Sequence, residues 1–144
     1  MSDDGQPAIL ISNRQALPVD EDGLRALARD TLLAEGEQDV ELSVSFVDAD
    51  EMADLHVRYM DEPGPTDVLS FPLDEKDEGG TRLLGDVVIA PSVAATNNPD
   101  DPAAEVRLLL VHGVLHVLGY DHEDEDERAE MWARQERYSG VRVP

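Results

Sequence analysis

The 144-residue chain is 41% hydrophobic, which is long and apolar enough to build a core and excludes a disordered segment. It has no cysteine, so disulfides and thiolate metal sites are excluded and any metal has to be held by histidine and carboxylate. A formal charge of −22, with 33 acidic side chains against 11 basic ones, repels phosphate backbones at long range and by itself argues against nucleic-acid binding. Lys76 is the single lysine, and such acidic, lysine-poor surfaces also suit proteins kept dissolved in concentrated salt.

No apolar run approaches the ~20 residues that a membrane-spanning helix needs. The start, MSDDGQPAIL, is acidic and lacks the apolar core of a signal peptide. These features predict one soluble, cytoplasmic domain over residues 1–144, with no membrane partner and an oligomeric state the sequence does not fix.

In chain order, the apolar run at 8–11 predicts a first strand. Asp20 or Asp22 can cap a helix carrying Leu24, Leu27, Ala28, Thr31 and Leu32 at helical spacing, with Gly36 as its stop. Residues 40–47, VELSVSFV, alternate apolar and polar, which predicts a strand with one wet face. Asp48 or Asp50 then caps a helix whose inner stripe is Met52, Leu55, His56 and Tyr59.

DEPGPTD is a loop by its Pro and Gly content. Strands follow at 68–73 and 83–90, joined by the polar DEKDEGGT. Residues 91–97 form a short helix that 98–102 breaks. Asp101 before Pro102 starts a further helix, because aspartate caps free N–H groups and proline in the first turn loses no bond. It runs to about Leu118, where Gly119 permits a left-handed stop. A last helix covers about 125–138. Strands and helices mix without strict alternation, so the fold class is α+β.

Three of the four histidines, His112, His116 and His122, fall within eleven residues of one another. His112 and His116 are four apart on one helix and therefore neighbours on one face. Gly119 lets the chain turn sharply, so His122 can return over the helix end toward the same point. Zinc takes three such nitrogens at ~2.0–2.1 Å and leaves a fourth position for water. Zn2+ suits this set best, while nickel, copper and iron also bind imidazole.

The spacing H-x-x-x-H-x-x-G-x-x-H matches metzincin peptidases, in which a glutamate follows the first histidine as general base. Here that residue is Gly113, which can neither take nor give a proton. Peptidase chemistry is disfavoured on that ground.

PTDVLSFP (65–72), LGDVVIAP (84–91) and HGVLHVLGYDH (112–122) together resemble the YbeY family of bacterial endoribonucleases. The resemblance runs from about residue 48 to the C-terminus. It implies an α+β sandwich with a small mixed four-stranded sheet, about five helices and a zincin-like metal helix. It also implies zinc-dependent cleavage of single-stranded RNA in maturation of the 16S rRNA 3′ end and in ribosome quality control. Ribosomal RNA and the small ribosomal subunit would be the partners.

Carried over by position, His112, His116 and His122 would be the metal ligands. Thr66, Asp67, Ser70 and Phe71 would stand near the cleft, Asp86 falls in the second motif, and Glu105 matches an acidic position two turns before His112. Family members carry arginine directly after the tyrosine that precedes TDVLSFP, whereas Tyr59 is followed by Met60 and preceded by Arg58. One helical step turns a side chain by ~100°, so either Arg58 reaches round, or Arg82 or Arg107 holds the phosphate, or activity is weaker.

Arg58, Asp86 and Ser70 are the candidate catalytic residues beside the ligands. Asp86 and Asp121 could take a proton or hold a histidine N–H, against ordinary turn and cap chemistry. Glu105 could serve the site or only complement the helix dipole. Arg58 could grip phosphate or pair with Asp54 or Glu62, and Ser70 could face the cleft or bond locally. His56, far from the cluster in sequence, reads as a partly buried helix residue, and the acidic run 123–127 reads as a solvated helix start. Two other functions compete: a ribosome-assembly factor with a mainly structural metal, and a zinc peptidase lacking the usual glutamate.

Overall fold

The computed structural model describes residues 5–141, so the acidic start at residues 1–4 lies outside it. Its elements are β1 (Ala8–Arg14), α1 (Glu21–Ala34), β2 (Val40–Val47), α2 (Ala49–Met60), β3 (Val68–Lys76), β4 (Arg82–Ile89), α3 (Pro91–Asn97), α4 (Pro102–Val117) and α5 (Glu125–Ser139). One sheet runs in the order β1-β2-β4-β3. β1 and β4 lie parallel to β2, while β3 returns antiparallel to β4 and forms an edge. The α+β class, the mixed sheet of four strands and the five helices are as expected.

Aspartates start four of the helices. Asp20, Asp48, Asp101 and Asp124 each accept a backbone N–H three residues on, from Gly23, Glu51, Ala104 and Glu127. Each such cap is worth ~1 kcal/mol, and acidic residues in the first turn add a favourable term with the helix dipole. Part of the acidic excess is thus structural.

Both ends of the sheet differ from expectation for the same reason. β1 continues through Ser12, Asn13 and Arg14 because it pairs in register with β2 up to Arg14↔Val47. β3 continues past Leu73, with the ladder to β4 shifting between Pro72 and Glu75. Pairing across the sheet overrides the polar composition of these segments.

The two sheet faces are covered unequally. Leu42, Val44, Phe46, Leu84, Val87 and Ile89 face α1, α3 and α4 in the larger cluster. Val88 and Leu69 face the other way, toward Met52 of α2, with Leu55 and Phe71 packed against them. On β2 the residues between the core positions, Glu41, Ser43 and Ser45, are only half-buried, the wet face that the alternation predicts.

The predicted inner stripe of α2 holds only in its first turns. Met52 is fully buried and Leu55 and His56 are half-buried, but Tyr59 is 58% exposed. The last turn, residues 57–60, is exposed throughout, and Tyr59 touches the structure edge-on against Phe71 at 5.3 Å between ring centroids.

α4 is the central helix. Leu110, Val111, Val114 and Leu115 are fully buried, because the sheet covers one side and α1, α3 and α5 cover the others. Burying each leucine contributes about 1.5–3 kcal/mol. A helix apolar on nearly every side has to sit in the middle of the molecule, and its C-terminal end carries the histidines.

Candidate metal centre

The ligand atoms of His112, His116 and His122 lie within 4.8 Å of one another. α4 supplies the first two as neighbours on one face, with ring centroids 4.6 Å apart. Gly119 has φ +107, which an L side chain rarely adopts, and there the chain leaves the helix. His122 then comes back to within 5.1 Å of His116 and 5.9 Å of His112. The predicted tripod is present and could hold a metal ion.

Electrostatics favour the ligand form of the rings. Burial lowers the pKa of His112, opposed by the hydrogen bond with Gln135 and assisted by the charge of His122. Burial also lowers His116, followed by the charges of His112 and His122. Lowered values leave these imidazoles neutral near pH 7, with lone pairs to donate.

Gly113 has a packing reason that spacing alone does not reveal. A Cβ there would lie 2.6 Å and 3.1 Å from the two methyls of Val87 and 3.2 Å from Ser70 Oγ. α4 therefore lies with its bare backbone against β4 and β3, and a glutamate has no room. Ser70 closes the contact by donating from Oγ to the Gly113 carbonyl at 3.3 Å.

A cleft of about 480 Å³ opens beside the histidines, lined among others by Met60, Ser70, Pro72, His112, His116 and Asp121. No lysine or arginine lines it among the described residues. Arg58 is on the exposed last turn of α2 and bonds Asp54 at 2.8 Å. Arg82 bridges Glu37 and Asp74. Arg107 lines a separate apolar cavity of about 400 Å³ between the chain before α1 and helices α3 and α4.

The remaining candidates divide by sheet face. Ser70 faces α4 and reaches the cleft. Asp86 alternates with Val87 and so points to the side of Val88, away from α4, where it is exposed. Phe71, its partner in the ladder, shares that side. Asp121 stays at the cleft and accepts from the backbone N–H of His122 at 2.8 Å.

Thr66, Asp67 and Glu105 are not among the residues lining the cleft. Asp67 accepts from Asn97 at 3.1 Å and from Thr66 at 3.5 Å. Burial and then the charge of Asp67 push the Glu105 carboxyl up, and the same charge acts on His112. His56 lies apart, with Nδ1 2.8 Å from the Gly64 carbonyl oxygen and Nε2 3.2 Å from Glu62.

Two contributors had no counterpart in the sequence reading. Gln135 of α5 bonds His112, and Trp132 sits edge-on to both His112 and His122, at 5.9 Å and 5.5 Å. The signal was the i, i+4, i+7 spacing of Met131, Gln135 and Tyr138, which puts a glutamine on the inner face of an otherwise polar helix.

An α+β layer with a histidine tripod at the end of its central helix defines a protein with a candidate metal centre. The model of the family described as Endoribonuclease YbeY matches residues 10–140, and the chain belongs to that family. It is 48% identical over 138 residues to the endoribonuclease YbeY of Thermobifida fusca, covering 89% of each chain. To that of Streptomyces coelicolor it is 45% identical over 141 residues, covering 89% of this chain and 86% of the relative. The solution structure of TM1509 from Thermotoga maritima superposes with a TM-score of 0.59 at 28% identity, over 91% of this chain and 86% of that one. Among the described residues no helix is long and apolar enough to cross a membrane.

Proposed function

We propose that this protein is a zinc-dependent endoribonuclease that hydrolyses single-stranded RNA, acting in 16S rRNA 3′-end maturation and ribosome quality control in the cytoplasm. The observation that carries the reading is the three-histidine group beside an open cleft, in a chain whose relatives are named endoribonucleases. Three imidazoles are a donor set that zinc accepts readily. A bound Zn2+ would supply Lewis-acid stabilisation of charge on a phosphate oxygen and would acidify water.

The chain's own residues shape that chemistry. Gly113 offers no proton acceptor beside the first ligand, so that role would fall to the hydroxide a bound zinc would supply or to a carboxylate elsewhere. Asp67 is the carboxylate whose charge acts on both Glu105 and His112, and burial followed by that charge pushes the Glu105 carboxyl up, which makes Glu105 the candidate for exchanging a proton. Asp121 holds the His122 backbone, and Ser70 keeps α4 against β3. Arg58 would have to leave Asp54 to meet a phosphate, and Asp86 would act only on RNA that wraps past the β3 edge.

The cleft without a lysine or arginine favours a second reading, a ribosome-assembly factor whose metal is mainly structural. Cleavage of a single-stranded RNA by zinc-loaded protein and by His116→Ala, with folding matched, separates the two. Cleavage that depends on both metal and His116 supports the nuclease; equal cleavage in both proteins removes it.

A further inference from the structure

Gln135 is 3% exposed on the inner face of α5, with its Oε1 2.7 Å from His112 Nδ1. A carbonyl oxygen only accepts, so this contact requires the proton to be on Nδ1. The neutral ring then has a single lone pair left, at Nε2. The opposite amide orientation would set an N–H against Nδ1, move the proton to Nε2 and remove His112 from the ligand set.

We infer that Gln135 is a positioning residue of the metal centre: it holds His112 in the Nδ1–H tautomer, so that Nε2 is the atom offered to the ion, and as a neutral acceptor it leaves the centre's positive charge whole for an anionic substrate. This rests on the metal-centre reading above, though not on the choice of reaction.

Three observations bear on it. The other ring contacts of His112, edge-on with His116 and Trp132 and tilted with His122, fix orientation without selecting a tautomer. The glutamine backbone is itself anchored, because Ser139 Oγ donates to the Gln135 carbonyl oxygen at 2.6 Å and Ser139 is 6% exposed. The charge argument comes from the cleft, where no cationic side chain stands among the described residues. A carboxylate at position 135 would be the stronger acceptor and would bind metal more tightly. It would also set a negative charge directly behind the ion in a chain of net charge −22. An amide supplies the same geometry without that charge.

The inference couples α5 to the site. His112 and Gln135 are 23 residues apart in sequence and come from helices packed against each other. Ordering one orders the other, so metal binding should protect the Met131–Ser139 half of α5 from hydrogen exchange.

The test compares wild type, Gln135→Leu and Gln135→Glu in two ways that involve no RNA. In metal-free protein above the histidine titration range, long-range 1H–15N correlation of the rings reads the tautomer. Nδ1–H is expected for His112 in wild type and Q135E, with Nε2–H gained in Q135L. Zinc affinity, read by competition with a chromophoric chelator, should fall ~10–100-fold in Q135L and be equal or tighter in Q135E. Nε2–H in the wild type, or wild-type affinity in Q135L, overturns the inference. If Q135L does not fold, Q135E decides it: weaker zinc binding than wild type overturns the inference, and equal or tighter binding upholds it. A protein that binds zinc in this pattern yet cleaves no RNA would sink the nuclease reading alone.

Discussion

Glu35 and Tyr120 stand 85 residues apart in the chain, and the tyrosine hydroxyl donates to the carboxylate at 2.6 Å. The same carboxylate, 5% exposed, accepts from Arg134 at 2.6 Å and from the Tyr138 hydroxyl. Arg134 lies over the Tyr120 ring at 4.9 Å. Tyr120 sits between the Gly119 turn and His122. One side chain at the end of α1 therefore ties α5 and the segment carrying the third histidine to the body of the protein.

Replacing Glu35 with Gln should cost about 2–4 kcal/mol in urea unfolding, because three donors lose a charged acceptor. Zinc affinity should fall with it as His122 loses its anchor. The pH dependence has a definite sign. Burial pushes the Glu35 carboxyl up, but bonds from Tyr120, Tyr138 and Arg134 together overcome it and hold the group below its ordinary 4.5. Stability from Glu35 is therefore complete above the ordinary carboxylate value and is lost as pH falls below it toward the lowered folded value, since the unfolded chain protonates first. The variant should show a flatter acid limb. On the other side of the bond, burial and then Glu35 push Tyr120 up to about 12, so its hydroxyl remains a donor throughout the neutral range.

Gly113 and Val87 form a steric pair. Gly113→Ala gains ~1 kcal/mol of helix propensity but meets a Val87 methyl at 2.6 Å. Overpacking of this kind costs about 1–3 kcal/mol, so a net loss of stability is expected. Val87→Ala should partly rescue it, and a double-mutant cycle should return a coupling of at least ~0.5 kcal/mol. Additive effects in that cycle would show that the two residues do not press on each other. Gly113→Glu should lose the folded metal site rather than gain peptide cleavage.

The acidic surface makes a prediction of its own. With 33 acidic against 11 basic side chains, self-repulsion opposes the folded state, and salt screens it. The unfolding midpoint should rise from low ionic strength toward molar sodium chloride. A midpoint that falls over that range would speak against adaptation to concentrated salt as the source of the charge.

Much of this architecture was legible because periodicity and caps are local signals. Asp101, Pro102 and Gly119 bounded α4, and the four-residue step from His112 to His116 placed them on one face before any tertiary contact was known. Strand ends at Arg14 and Lys76 were not legible, since the ladder that extends them comes from distant residues. Tyr59 left the inner stripe because the last turn of α2 is exposed, which no spacing within the helix reveals. Asp86 shares a motif with cleft residues, but strand alternation turns it to the opposite face. Glu35 and Gln135 reach the site from other helices and are unremarkable in their own segments.

The central claim, that the histidine tripod holds an ion used for cutting RNA, is tested most directly on a single-stranded RNA oligonucleotide, with Trp132 as the occupancy signal. Trp132 is the one tryptophan of the chain and touches His112 and His122, so its fluorescence should respond as metal binds. Zinc titrated into metal-free wild type should switch on cleavage in step with that response. His116→Ala, folded to the same extent, should cleave more than ~100-fold more slowly, beyond the effect of losing an outer partner. Equal cleavage by both proteins, unchanged by chelation, would contradict the claim.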